Sequence, residues 1–164
     1  MPFLSQRNMT ATLKRAVLVL VLVLGTLPLA AQAERVFVSN EKDNTVSVID
    51  GTSLEVVETI EVGRRPRAMA FSSDGSELFV AVGDDESIDM IELGTLKVVR
   101  SQSAGDDPEV IRVDPNRPYV YISNEDDNIV SVIDYERRTL VDEIPVGVEP
   151  EGLGISPDGR WLIS

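Results

Sequence analysis

The sequence predicts an all-β fold, a β-propeller of four-stranded blades, on three observations. A 42-residue repeat runs through the chain without a gap, each repeat holds four short β-prone runs, and several runs are apolar on both faces. Slid against itself by 42, the sequence aligns Asp50, Glu92 and Asp134, then Gly63, Gly105 and Gly147, then Pro66, Pro108 and Pro150. The repeats are 35–76, 77–118 and 119–160, and 161–164 opens a fourth. The first and third are identical at 19 of 42 positions, and SNEKDNTVSVID (39–50) returns as SNEDDNIVSVID (123–134) with two changes.

In the first repeat the runs are RVFVS, TVSVID, EVVETIEV and RAMAFS, dense in Val, Ile and Phe and too short for helices. VFV and LFVAV leave no polar face, as a sheet covered by a neighbour on each side requires. Asp74-Gly75 and Asp158-Gly159 supply tight turns, and Pro157 suits the position before one. In the middle repeat DPNRP replaces SPDG, so Asn116 is expected to take the left-handed position. Gly63, Gly105 and Gly147, each three residues before a Pro, mark crossings from the outer strand of one blade to the inner strand of the next.

Residues 1–33 read as a signal peptide. Arg7, Lys14 and Arg15 lead an apolar run ending at Leu24, Pro28 follows, and Ala31-Gln32-Ala33 is a small-x-small cleavage site. The run is short for a membrane span. The expected product is exported, periplasmic or secreted, with no membrane insertion after cleavage. Residues 34–164 are then the propeller domain. They keep all 28 acids and lose three of 15 basic residues, for a formal charge of −16. Such acidity argues against nucleic acid as a partner.

With no Cys in the chain there is no disulfide, thiolate metal site or CxxCH haem attachment, and with no His the commonest general base is missing. Neither a His-assisted nucleophile nor a zinc hydroxide can be built from these residues. No cofactor and no metal site are expected.

The stretch YVYISNEDDNIVSVID…EIPVGVEPEGLGISPDG resembles the YVTN-type β-propeller repeat, with strand motif, VID, VG-x-x-P and PDG in order. The tetrad reads VFVSN and YVYISN here, and the middle repeat departs with LFVAV. Within that family, VFVSNEKDNTVSVIDG, GDDPE and PVGVEPEG resemble the periplasmic propellers associated with quinoprotein (PQQ-dependent) alcohol catabolism. That resemblance implies a seven-bladed ring, and since propellers close with about four to eight blades, the chain is expected to be a fragment. By analogy with WD-repeat propellers, RAMAFS is innermost strand A, so residue 35 begins strand B of the first blade.

That strand order puts the D-to-A crossings and the B-to-C turns on one face. The first crossing carries Arg64, Arg65 and Arg67, the second Asp106, Asp107 and Glu109, the third Glu149 and Glu151. Scaffolding needs only the Gly and Pro there, so these charges are the candidate ligand- or partner-binding loop face. The B-to-C turns 41–44, 84–86 and 125–128 are acidic but lack calcium-loop spacing, and read as Asx turns. Arg137 and Arg138, on the opposite face, read as a solvated tip. Trp161 reads as packing, and the Asp of VID as a turn acceptor, because a catalytic residue would occur once.

The expected function is a non-enzymatic periplasmic binding or scaffold propeller serving a PQQ-dependent alcohol oxidation system. Its partner is expected to be a quinoprotein dehydrogenase, a cytochrome or a transporter component, or else a small ligand. The alternatives are a lactonase-like hydrolase with its active site in blades beyond residue 164, and a cell-surface adhesive propeller.

Overall fold

The computed structural model describes residues 34–164, so the expected signal peptide lies outside the described residues. Each β-prone run of the sequence forms a strand. Arg35–Asn40 (β1), Thr45–Asp50 (β2) and Val56–Glu61 (β3) make a three-stranded antiparallel sheet. Pro66–Phe71 (β4), Glu77–Val82 (β5), Ser87–Glu92 (β6) and Lys97–Ser103 (β7) make a four-stranded sheet in chain order. Pro108–Val113 (β8), Tyr119–Asn124 (β9), Ile129–Asp134 (β10) and Thr139–Pro145 (β11) repeat it. Gly154–Ile155 (β12) pairs with Leu162–Ile163 (β13).

The last run of each sequence repeat therefore bonds to the first run of the next. Strands β4, β8 and β12 lie side by side as the inner strands of successive sheets, and β1 is the register equivalent of β5 and β9, the second strands. This is the offset expected from the sequence, with residue 35 opening the second strand of a blade.

The 42-residue period extends to irregularities. A bulge falls between Val48 and Ile49, between Met90 and Ile91, and between Val132 and Ile133. Left-handed backbone recurs at Asn44, Glu86 and Asn128, at Leu54, Leu96 and Arg138, and at Arg65, Asp107 and Glu149. Bulges re-aim side chains and add twist, so their recurrence gives each blade the same shape.

Period-two alternation divides each central strand between two cores. On β5, Leu78, Val80 and Val82 pack against Val46, Val48 and Ile60 of the first sheet. Phe79 and Ala81 face the other way, toward Ile111, Val120 and Ile122 of the third. On β9 and β10, Tyr121, Val130 and Val132 pack toward Leu153. Phe79 is fully buried, and truncating such a residue to Ala costs about 3–5 kcal/mol.

One expectation is corrected. Asn116 is not among the residues with positive φ; the left-handed turn residues are Gly75 and Gly159, whose counterpart is Arg117. Where a glycine allows the tight turn, the Asp114 carboxylate instead accepts the backbone N–H groups of Asn116 (2.9 Å) and Arg117 (3.0 Å). The chain thus turns around a side chain without entering the left-handed region. Tyr119, at the start of β9, is half-buried and lies against Arg117; its register counterpart Trp161 is 65% exposed among the described residues.

Candidate functional site

Crossings and turns meet on one face through backbone bonds that repeat every 42 residues. The N–H groups of Val62, Ala104 and Val146 donate to the carbonyls of Asn44, Glu86 and Asn128, each at 3.0 Å. Those of Gly83 and Glu125 donate, also at 3.0 Å, to the carbonyls of Arg65 and Asp107. The shared loop face expected from the strand order is present.

The twice-written motif supplies the fittings of this face. Asn44 and Asn128 accept the N–H of Arg65 (3.0 Å) and Glu149 (2.9 Å) through Oδ1. Asp85 and Asp127 accept the N–H of Arg64 (2.6 Å) and Asp106 (2.9 Å). Asn40 and Asn124 each donate at 2.8 Å to the hydroxyls of Ser47 and Ser131 across the hairpin. At the other end of the motif, on the opposite face, Asp50 and Asp134 accept turn N–H groups, and those bonds hold the Asp50 carboxyl below its ordinary range. The middle repeat lacks both asparagines, and its Asp89, aligned with those serines, accepts the Gly63 N–H at 2.7 Å.

The variable charges divide. Arg65, Arg67, Asp107 and Glu109 converge: Arg65 donates to Asp107 (2.7 Å) and to Glu109 (3.1 Å), and Arg67 Nε donates to the other oxygen of Glu109 at 2.7 Å. Glu109 is 6% exposed, and Arg65 is 30% exposed at its side chain. Hydrogen bonding to Asp107 raises the Arg65 pKa further above its ordinary value, so the guanidinium stays charged. Arg64 instead reaches Asp85 at 2.7 Å, and the backbone and side-chain bonds from Arg64 hold that carboxyl below its usual range. Glu41, 3.3 Å from Arg67, and Asp84, 3.8 Å from Arg65, complete the cluster. Sequence reading assigned both to turns; their convergence on the arginines comes from stacking one blade on the next.

Asp107, Glu109 and Glu125 bring carboxylate oxygens within 4.8 Å of one another. Two of the three already carry guanidinium partners, so the positive charge this geometry calls for is supplied by arginine. Glu125 is left among acids. Partial burial and then Glu109, Asp107, Glu151 and Glu149 raise its pKa above the ordinary glutamate value.

Glu149 and Glu151 are exposed, as is Asp106. No salt bridge involves any of these three among the described residues. With Val148, Leu153 and Ile163 the two glutamates line an open cavity of about 560 Å³. Arg65 and Arg67 of the first crossing thus neutralise Asp107 and Glu109 of the second, and Asp106, Glu149 and Glu151 carry no counter-charge among the described residues.

Comparison with solved structures identifies the architecture. The chain superposes on a chain of Kuenenia stuttgartiensis hydrazine synthase with TM-score 0.74 and 26% identity, over 78% of this chain and 37% of that one. A 6-phosphogluconolactonase-like protein from Bacteroides uniformis matches with TM-score 0.69 and 18% identity, over 79% and 43%. The dihydro-heme d1 dehydrogenase NirN, solved in complex with DHE, matches with TM-score 0.63 and 21% identity, over 82% and 31%. These likenesses show a β-propeller, and the chain spans less than half the length of each. No family model matches it, and no curated protein does.

Proposed function

We propose that the chain is an exported, non-enzymatic binding propeller that engages a basic partner through the acidic end of its loop face. The carrying observation is the division of charge: Arg65 and Arg67 bind Asp107 and Glu109, while Glu149 and Glu151 remain exposed. The repeated Asn, Asp and Ser of the motif are engaged in scaffold bonds, which supports binding over catalysis.

The YVTN-like wording supports a periplasmic location and service to a PQQ-dependent alcohol oxidation system. A basic face on a quinoprotein dehydrogenase, a cytochrome or a transporter component would meet this acidic surface, and such attraction is screened within about 8 Å at physiological salt. The test is affinity capture with the tagged full chain in cells growing on an alcohol. Recovery of one such component, lost in Glu149→Lys/Glu151→Lys and in high salt, is expected. Recovery of none of the three would overturn the reading.

A further inference from the structure

On the face opposite the crossings, a cleft opens between the second and third sheets. Two cavities of about 260 and 330 Å³ adjoin along Glu77, Arg100 and Arg138, and the first is also lined by Ser73, Tyr135 and Glu136. We propose that this cleft is a binding site for a small amino-carboxylate zwitterion of the α-amino acid type.

The repeat itself is the control. In the 42-residue register Ser73 stands where the other repeats have Pro115 and Pro157, and Tyr135 where they have Gly51 and Leu93. Arg100 replaces the acids Glu58 and Asp142, and Arg138 replaces Leu54 and Leu96. Four departures, drawn from two blades, converge on one cavity. The Tyr135 ring packs in the core, 5.2 Å from the Phe79 ring between centroids, and only its hydroxyl serves the cleft; packing does not account for Ser73, Arg100 and Arg138.

Their chemistry is of both signs. Arg100 is mostly buried, with a side chain 19% exposed, and has one loose ion pair, to Glu77 at 3.4 Å. Arg138 is carried on left-handed backbone at φ 61 and has no ion pair among the described residues. Two guanidiniums so placed suit a carboxylate, which arginine takes in a planar fork. The Ser73 and Tyr135 hydroxyls, 2.9 Å apart, share one hydrogen bond, so one O–H remains to donate. Glu136, exposed and without a side-chain partner among the described residues, and the second oxygen of Glu77 suit an ammonium group. A simple anion would meet these carboxylates as well as the arginines; a zwitterion satisfies both.

The test is calorimetric titration of the full chain with glycine, L-serine and L-glutamine, and with acetate and methylammonium as half-ligands. Saturable 1:1 binding of at least one amino acid is expected, with each half-ligand at least tenfold weaker. Arg138→Leu and Ser73→Pro, which restore the residues of the other repeats and keep the fold, are each expected to weaken binding tenfold or more at unchanged melting temperature. No amino-acid binding up to about 10 mM, tenfold above a millimolar Kd, would overturn the proposal. So would acetate binding as tightly as the amino acids, or full affinity in both variants.

Discussion

Arg65 and Asp107 stand 42 residues apart at the same point of successive repeats, share left-handed backbone at φ 58 and φ 50, and meet through their side chains at 2.7 Å. Equivalent positions of the repeat thus answer one another between blades. The pair recurs in geometry but not in charge, since Glu149 follows Asp107 in the series.

Glu109 is buried between two arginines, so loss of one leaves a desolvated carboxylate half-partnered. Arg67→Ala is expected to lower stability in urea by about 1–3 kcal/mol, as for charged hydrogen bonds. In a Glu109→Gln background the same substitution should cost clearly less. Equal costs in the two backgrounds would show that Arg67 acts through other contacts.

Asn44 combines left-handed backbone with a side-chain bond to the Arg65 N–H. Asn44→Gly keeps the conformation and loses the bond; Asn44→Ala loses both. Alanine is therefore expected to destabilise by about 1–2 kcal/mol and glycine by less, read from chemical denaturation midpoints.

A side chain at Gly105 would lie 2.6 Å from the Asn124 amide, on backbone at φ 115. At Gly75 it would meet nothing within 4 Å, at φ 69. Gly75→Ala should cost about 1 kcal/mol through backbone conformation alone. Gly105→Ala should cost at least twice as much and broaden the Asn124 amide signal in NMR. Similar losses at the two sites would count against the close packing of Asn124 on the crossing.

Asp74 accepts the Ser72 hydroxyl and then the Ser76 N–H and hydroxyl, which lower its pKa from 3.8 to about 2. A carboxyl lowered in the folded state binds fewer protons there than when unfolded, so its stabilisation is full above 3.8 and is lost as pH falls through about 2. Thermal melts between those limits should therefore fall less steeply with acidification in Asp74→Asn than in the parent. Parallel slopes would refute the assignment.

Much of the fold was legible because a repeat states its packing problem several times. Asp50, Glu92 and Asp134 fixed the register, and LFVAV announced a strand buried on both faces. The left-handed positions at Arg65, Asp107 and Glu149 were not legible. Sequence reading looks for glycine where φ is positive, whereas here at Arg65 and Glu149 the conformation is held by an asparagine 21 residues away. The same limit hid Asp114, whose carboxylate replaces the turn glycine. It is buried, yet the side-chain bond from Arg117 and those from Asn116 and Tyr121 outweigh that burial and keep its pKa low. Burial and the bond to Asp114 push Tyr121 up to about 12. The candidate charges on the crossings were legible as residues but not as partners, because Arg65 meets Asp107 only once two blades are stacked.

The most direct test of the account is a double-mutant cycle on Arg65→Ala and Asp107→Ala, read by urea denaturation of the full chain. Charges that join blade to blade predict a coupling of about 1–3 kcal/mol, the range for residues sharing one hydrogen-bonded network. Strict additivity of the two substitutions would contradict it, and would return both side chains to the ligand- or partner-binding role first read for them.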